Sequence, residues 1–249
     1  MIEHSRHQDI HELRLARPPV NALDPALCRR LRDGVAEALA EGAQGLVLSG
    51  GAGVFSAGLD VPYLLGLERA DEVREAWAAF IDAARALAQS PVPVVAALTG
   101  HAPAGGCVLA LCCDYRVMAQ GDYRIGLNET QVGLVAPEGI QRLMRRTVGP
   151  HRAERLLVAG EMVEAGQAHA LGLVDELAPL EEVAARARGW LARLLALPRK
   201  PMLATRAIAR AEVVEALRPE LLELDRFVAA WTEPDTQAAL RALVAKLGK

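Results

Sequence analysis

Glu129 lies in Gly126-Leu127-Asn128-Glu129-Thr130, bracketed by Ile125, Leu127, Val132 and Leu134. A carboxyl group kept from water holds its proton to higher pH, which suits a group that must accept a proton and return it. The same residue could instead be an exposed loop acid or a helix cap. Asn128 could orient a ligand's polar group or only serve the turn. Upstream stand two glycine-bearing segments, Phe55-Ser56-Ala57-Gly58-Leu59-Asp60 and Pro103-Ala104-Gly105-Gly106-Cys107. Small residues let a ligand come close to backbone N–H groups. The second segment also precedes a helix, whose free N–H groups and positive dipole end favour a developing oxyanion. Taken singly, each segment could equally be a plain strand-to-helix turn or a close packing contact. Together, one carboxylate and two N–H clusters suit proton transfer beside a carbonyl whose oxygen is held.

Other candidates for chemistry are weaker. His4, His7 and His11 cluster near the N-terminus without the company of a metal site, so no metal is expected. His101 is close to the second glycine segment and reads as a structural histidine within reach of a ligand. Glu138 becomes a second acid only if its loop folds back. The run Ser49-Gly50-Gly51-Ala52-Gly53 lacks the phosphate-loop and dinucleotide signatures, and no Gly-x-Ser-x-Gly marks a serine hydrolase. Cys28, Cys107, Cys112 and Cys113 have no paired ligand spacing and read as reduced, buried thiols.

The elements that must position these groups follow from periodicity and punctuation. Residues 10–15 read as an early strand that stops at Pro18-Pro19. Asp24-Pro25 opens a helix to about Leu39. Residues 45–48 and 92–98 read as buried strands, and Val73, Trp77, Phe80 and Ala84 give 71–88 helical spacing. A helix is expected over 105–113, a strand over 114–118, a helix after Pro137, helical segments over 152–170 and a short strand over 173–177. Beyond Pro179 the expectation is helix throughout: 180–197, 202–217, 221–231 and 236–247. The fold class is therefore α/β with a helical C-terminal region. The expected division is a core of 1–198 and a helical region of 199–249, with Arg199-Lys200-Pro201 as the boundary.

The chain has 249 residues, 52% of them hydrophobic and 4% aromatic, so Leu, Val and Ala must fill most of a large core. A net charge of −3 gives no basic excess for a nucleic-acid backbone. No long uncharged apolar run suggests a membrane span, and no signal-peptide core follows Met1, so the expected location is cytoplasmic.

In this order the segments resemble the crotonase (enoyl-CoA hydratase/isomerase) superfamily, from Pro19-Val20-Asn21-Ala22-Leu23 to about Leu177. Within it they are most similar to the mitochondrial-type Δ3,Δ2-enoyl-CoA isomerases. The similarity rests on residues 54–60 and 103–107, Cys113-Asp114-Tyr115-Arg116, and Ile125 to Gln131, where many relatives have proline at the position of Asn128. The resemblance implies a spiral of ββα units and a homotrimer or dimer of trimers. It implies an acyl-CoA thioester substrate and no cofactor beyond the coenzyme A of that substrate. The N–H groups of Leu59 and Gly105 would form the oxyanion hole. Ala57, Gly58, Leu59, Asp60 and Val61 would line the CoA side, with Gly105 and Asn128 also touching substrate and Glu129 as the base. Hydratases of the family commonly carry a second glutamate where this chain has Val108, which favours a one-base isomerase. Another acyl-CoA reaction (hydration or thioester hydrolysis) and a non-catalytic acyl-CoA binding protein stand as alternatives.

Overall fold

The apolar runs near residues 46 and 96 have no polar face, and in the computed structural model, which describes residues 1–247, both their faces are covered. The chain begins with an antiparallel hairpin of β1 (Ile2–His7) and β2 (Ile10–Leu15), followed by α1 (Pro25–Ala40). The Asp24 carboxylate caps α1, accepting from Leu27 N at 2.7 Å, with Pro25 in the first turn. Three strand pairs come next. The first is β3 (Gly45–Ser49) with β4 (Gly53–Val54), leading to α2 (Val61–Leu65) and α3 (Ala70–Ala88). The second is β5 (Val94–Leu98) with β6 (Gly100–Pro103), leading to α4 (Gly105–Leu111). The third is β7 (Tyr115–Ala119) with β8 (Arg124–Gly126), leading through a 3₁₀ turn at Glu129–Val132 to α5 (Glu138–Val148). Then come α6 (Pro150–Ala159), β9 (Val163–Glu164), α7 (Ala165–Leu171) and β10 (Glu176–Ala178). The remainder is α8 (Val183–Leu195), α9 (Arg199–Ala209), α10 (Ala211–Ala216), α11 (Pro219–Leu222), α12 (Leu224–Trp231) and α13 (Pro234–Leu247).

The first strand of each pair joins one sheet and the second joins another. The larger sheet has the order β1-β2-β3-β5-β7-β10 and is parallel apart from the β1–β2 hairpin. The smaller has the order β4-β6-β8-β9, with β4, β6 and β8 parallel. Alternation along each strand divides the core. Leu46, Leu48, Val94, Ala96 and Leu98 face α1, α3 and α4, while Val47, Val95, Ala97 and Val117 face Ala187 and Leu191 of α8. A strand buried on both faces has no polar positions, which is why β3 and β5 read as continuous apolar runs.

Several expectations need correction. Residues 2–7 form an edge strand that polar composition hid, because only Ile2 and His4 turn partly inward. The strand expected at 173–177 is β10, starting at Glu176. Leu173 and Asp175 instead receive the Arg116 side chain and N–H. The helical stretch at 152–170 is interrupted by β9, and the helices expected at 202–217 and 221–231 each break, at Arg210 and at Glu223. The second sheet was not anticipated at all, since two- to four-residue strands are too short for periodicity to register.

Candidate active site

Every segment singled out for chemistry leaves the C-terminal end of a strand of the smaller sheet. Phe55–Asp60 follows β4, Ala104-Gly105 follows β6, and Leu127–Glu129 follows β8. These strands are parallel neighbours, so the three exits lie side by side. The Ala104 N–H donates to Gly126 O at 2.8 Å and ties the second exit to the third. The first two exits are in contact. A Cβ added to Gly58, whose φ is +82°, would stand 3.1 Å from Pro103 O and 3.3 Å from Gly105 N. A Cβ on Gly106 would stand 2.7 Å from Ser56 O, so only glycine lets the two backbones approach this closely.

Buried polar groups hold the first exit in shape. Ser56 donates to Asn21 O at 2.8 Å and accepts from Gly58 N at 3.2 Å, and Asn21 Nδ2 donates to Phe55 O at 3.1 Å. Leu23 N donates to Gly58 O, and Asp60 N donates to Leu23 O. The Leu59 N–H between them has no acceptor among the described residues, and neither has the Gly105 N–H. A Cβ at Gly105 would be 3.4 Å from Leu59 N, which places the two unclaimed donors together. Ala104 turns β6 into α4 at φ 45° and ψ −116°, a conformation L residues avoid at a cost of about 1–3 kcal/mol. That strain aims the Gly105 N–H.

Glu129 opens the 3₁₀ turn and is half-buried. Its Oε2 is buried and without a hydrogen-bond partner. Burial raises its pKa to about 7, opposed only by its own N–H. Burial, and then the Glu129 charge, push up the thiol of Cys107 in the first turn of α4. Glu129 borders a cavity of about 180 Å³ with Leu127, Val135, Ala136, Gln141 and Val158. Val108, in the next turn of α4, is 1% exposed and packed into the core.

The remaining candidates separate cleanly. Ala57 and Val61 are half-buried at the first exit. Asp60 is nearly buried, with its carboxylate committed to Tyr63 N at 3.0 Å and Arg17 at 2.7 Å. The Asn128 side chain does not cap the 3₁₀ turn that it precedes. His101 is satisfied structurally: its Nδ1 accepts from Arg124 N at 3.1 Å and its ring meets Tyr123 edge-on. Glu138 is held by two arginines of its own helix. Arg142 and Arg145 donate to it at 2.9 and 2.7 Å, and these bonds hold its carboxyl below the usual range. All four cysteines are buried free thiols, with Cys28 and Cys112 pushed up to about 12 by burial. Arg17 was missed by sequence reading. It bridges Asp24 at the start of α1 and Asp60 beside Leu59, and no local pattern marks its pairing with Asp60, which lies far along the chain.

The enoyl-CoA hydratase/isomerase family model matches residues 5–244. This chain belongs to the enoyl-CoA hydratase/isomerase family. It is similar to enoyl-CoA delta isomerase 1, mitochondrial, of Mus musculus, with 35% identity over 197 residues covering 78% of this chain and 68% of that protein. It is also similar to the Mycolicibacterium paratuberculosis protein named "Probable enoyl-CoA hydratase echA17", at 34% identity over 231 residues covering 89% and 86%. Among solved structures, human mitochondrial delta3-delta2-enoyl-CoA isomerase superposes with a TM-score of 0.93 at 30% identity, over 99% of this chain and 98% of that one. The strand pairs and helices described above are thus the crotonase-type spiral with its helical C-terminal region, and the family acts on acyl-CoA thioesters. Among the described residues no helix is long and apolar enough to cross a membrane.

Proposed function

We propose that this member of the family is a Δ3,Δ2-enoyl-CoA isomerase, moving the double bond of a 3-enoyl-CoA to give the trans-2-enoyl-CoA. The observation that supports this reading is a half-buried carboxyl, its pKa raised to about 7, whose strand exit adjoins the exits carrying two unclaimed backbone N–H groups, with Val108 buried in α4. In the proposed reaction the thioester oxygen accepts from Leu59 N–H and Gly105 N–H. Glu129 takes a proton from C2, and the electron pair spreads through the dienolate to C4. Its negative charge rests largely on the oxygen held by the two donors, each worth about 3–4 kcal/mol in such sites. Glu129 then delivers the proton to C4 and is an anion again, ready for the next turn. A carboxyl with a pKa near ambient pH is well matched to both halves of this transfer.

Hydration needs a second group to hold and protonate a water molecule, and the aliphatic Val108 offers none. The deciding experiment supplies 3-hexenoyl-CoA and 2-hexenoyl-CoA separately and follows conjugation and hydration. Isomerisation with kcat/KM far above that of hydration is expected. Comparable values, or hydration alone, would overturn the reading. Light scattering on the purified protein tests the expected homotrimer or dimer of trimers.

A further inference from the structure

At the far edge of the larger sheet, the β1–β2 hairpin brings together side chains the acyl-CoA site does not use. Arg6 pairs with His11 and His4 with Leu13, so His4 and His11 are diagonal neighbours on one face of the hairpin. His4 Nε2 lies 2.9 Å from His11 Nδ1. Glu41, at the C-cap of α1, places Oε2 3.9 Å from the same Nδ1. The three donor atoms all lie within 4.8 Å of one another. We propose that His4, His11 and Glu41 form a binding site for one divalent transition-metal ion of the zinc type, held by two imidazole nitrogens and one carboxylate oxygen.

Zinc takes this donor set, commonly with an open fourth position for water, at about 2.0–2.2 Å from each atom. Tetrahedral donors at that distance stand about 3.3 Å apart. The two histidines must therefore part slightly and Glu41 must approach. His4 is half-buried and the Glu41 side chain is 46% exposed, so both can rotate to do this. His11 is 1% exposed and supplies the fixed point. Its Nδ1 now meets His4 Nε2 at 2.9 Å, a contact that a bound ion would replace. Two neighbouring carboxylates are already engaged. Glu12 is taken by Ser49 and Arg188 at 2.7 Å each, and Glu37 by Arg30. Arg6 is the opposing group, 3.8 Å from Glu41 Oε2. A bound ion would fasten the β1–β2 hairpin to the end of α1.

The test uses full-length, metal-stripped protein without a polyhistidine tag, titrated with Zn2+ by calorimetry and with Co2+ by visible absorption. One equivalent of Zn2+ should bind and raise Tm, with Mg2+ inert. His4→Gln and Glu41→Gln should each weaken zinc binding at least about tenfold while leaving turnover of 3-hexenoyl-CoA unchanged. Arg6→Gln, which frees Glu41, should tighten it. Both ligand variants alter side chains at the surface, so folding does not cloud the result. The proposal is overturned by the absence of a one-equivalent isotherm, by wild-type affinity in either ligand variant, or by an Arg6→Gln protein that binds no more tightly than wild type.

Discussion

A carboxylate with an unpartnered buried oxygen is costly to ionise, and Glu129 titrates near 7 instead of 4.5 for that reason. Its pKa is raised in the native state, so between these values the folded protein binds more protons than the unfolded chain. Stability therefore falls as pH rises from about 4.5 to about 7, and the full cost persists above. Glu129→Gln removes that cost. Its stability advantage over wild type in denaturant unfolding should grow from pH 5 to pH 8, by on the order of 1–3 kcal/mol after discounting for partial exposure; a pH-independent difference would argue against burial as the cause. The same variant should lose about 10²–10⁴-fold in kcat while binding acyl-CoA normally. In the wild type, log kcat/KM should climb with unit slope at acid pH and level off near 7. Gly105→Ala adds a methyl 3.1 Å from Leu23, 3.2 Å from Phe80 and 3.4 Å from Leu59 N. It should crowd the oxyanion site and cost about 10²–10³-fold in kcat, measured at saturating substrate on protein with unchanged circular dichroism.

Among the elements, α12 packs into the core, and mutation can test whether it also borders an acyl path. The stripe Leu224, Phe227, Val228 and Trp231 turns inward, and Phe227 meets Trp77 of α3 with ring centroids 4.0 Å apart. Phe227 also lines a cavity of about 250 Å³ whose wall at Val135, Ala136 and Gln141 is shared with the Glu129 cavity. As core, Phe227→Ala should cost about 3–5 kcal/mol in denaturant unfolding. As the end of an acyl path, it should lower kcat/KM progressively more for longer chains, since each buried methylene contributes about 0.8 kcal/mol. A uniform drop across a chain-length series, or no drop, would confine α12 to packing. In α4, Val108→Glu places a charge in a position only 1% exposed, so destabilisation should outweigh any hydration gained.

For the whole molecule, the decisive joint lies between the spiral and the C-terminal helices. Asp114, at the start of β7, accepts from Val94 N at 2.8 Å and from Arg206 at 2.7 and 2.8 Å, with Arg210 at 3.3 Å. Asp114→Asn leaves two largely buried guanidinium groups without their anion and should cost about 3–5 kcal/mol. Chemical denaturation with far-UV and tryptophan probes would show it. A loss below about 1 kcal/mol would mean that apolar packing alone holds these helices.

Sequence alone determined the long elements, because 16- and 19-residue amphipathic helices and doubly buried strands write their periodicity in local composition. It also pointed to the candidate site, since Glu129 and the two glycine-bearing segments are visible in the chain, while the roles of Leu59 and Gly105 came from the family resemblance. Three matters were left to the tertiary structure. The smaller sheet, with strands of two to four residues, arises only from pairing across turns of the spiral, and that pairing brings the exits together. Tertiary contacts also decided the state of Glu129, which lies against apolar walls and keeps its proton to about 7, whereas the arginines that hold Glu138 ionised stand one and two turns along its own helix and are local. Likewise His11 met Glu41 only because a hairpin and a helix end were packed on one another. Charge state and company depend on neighbours distant in the chain, and a local pattern of residues holds no record of them.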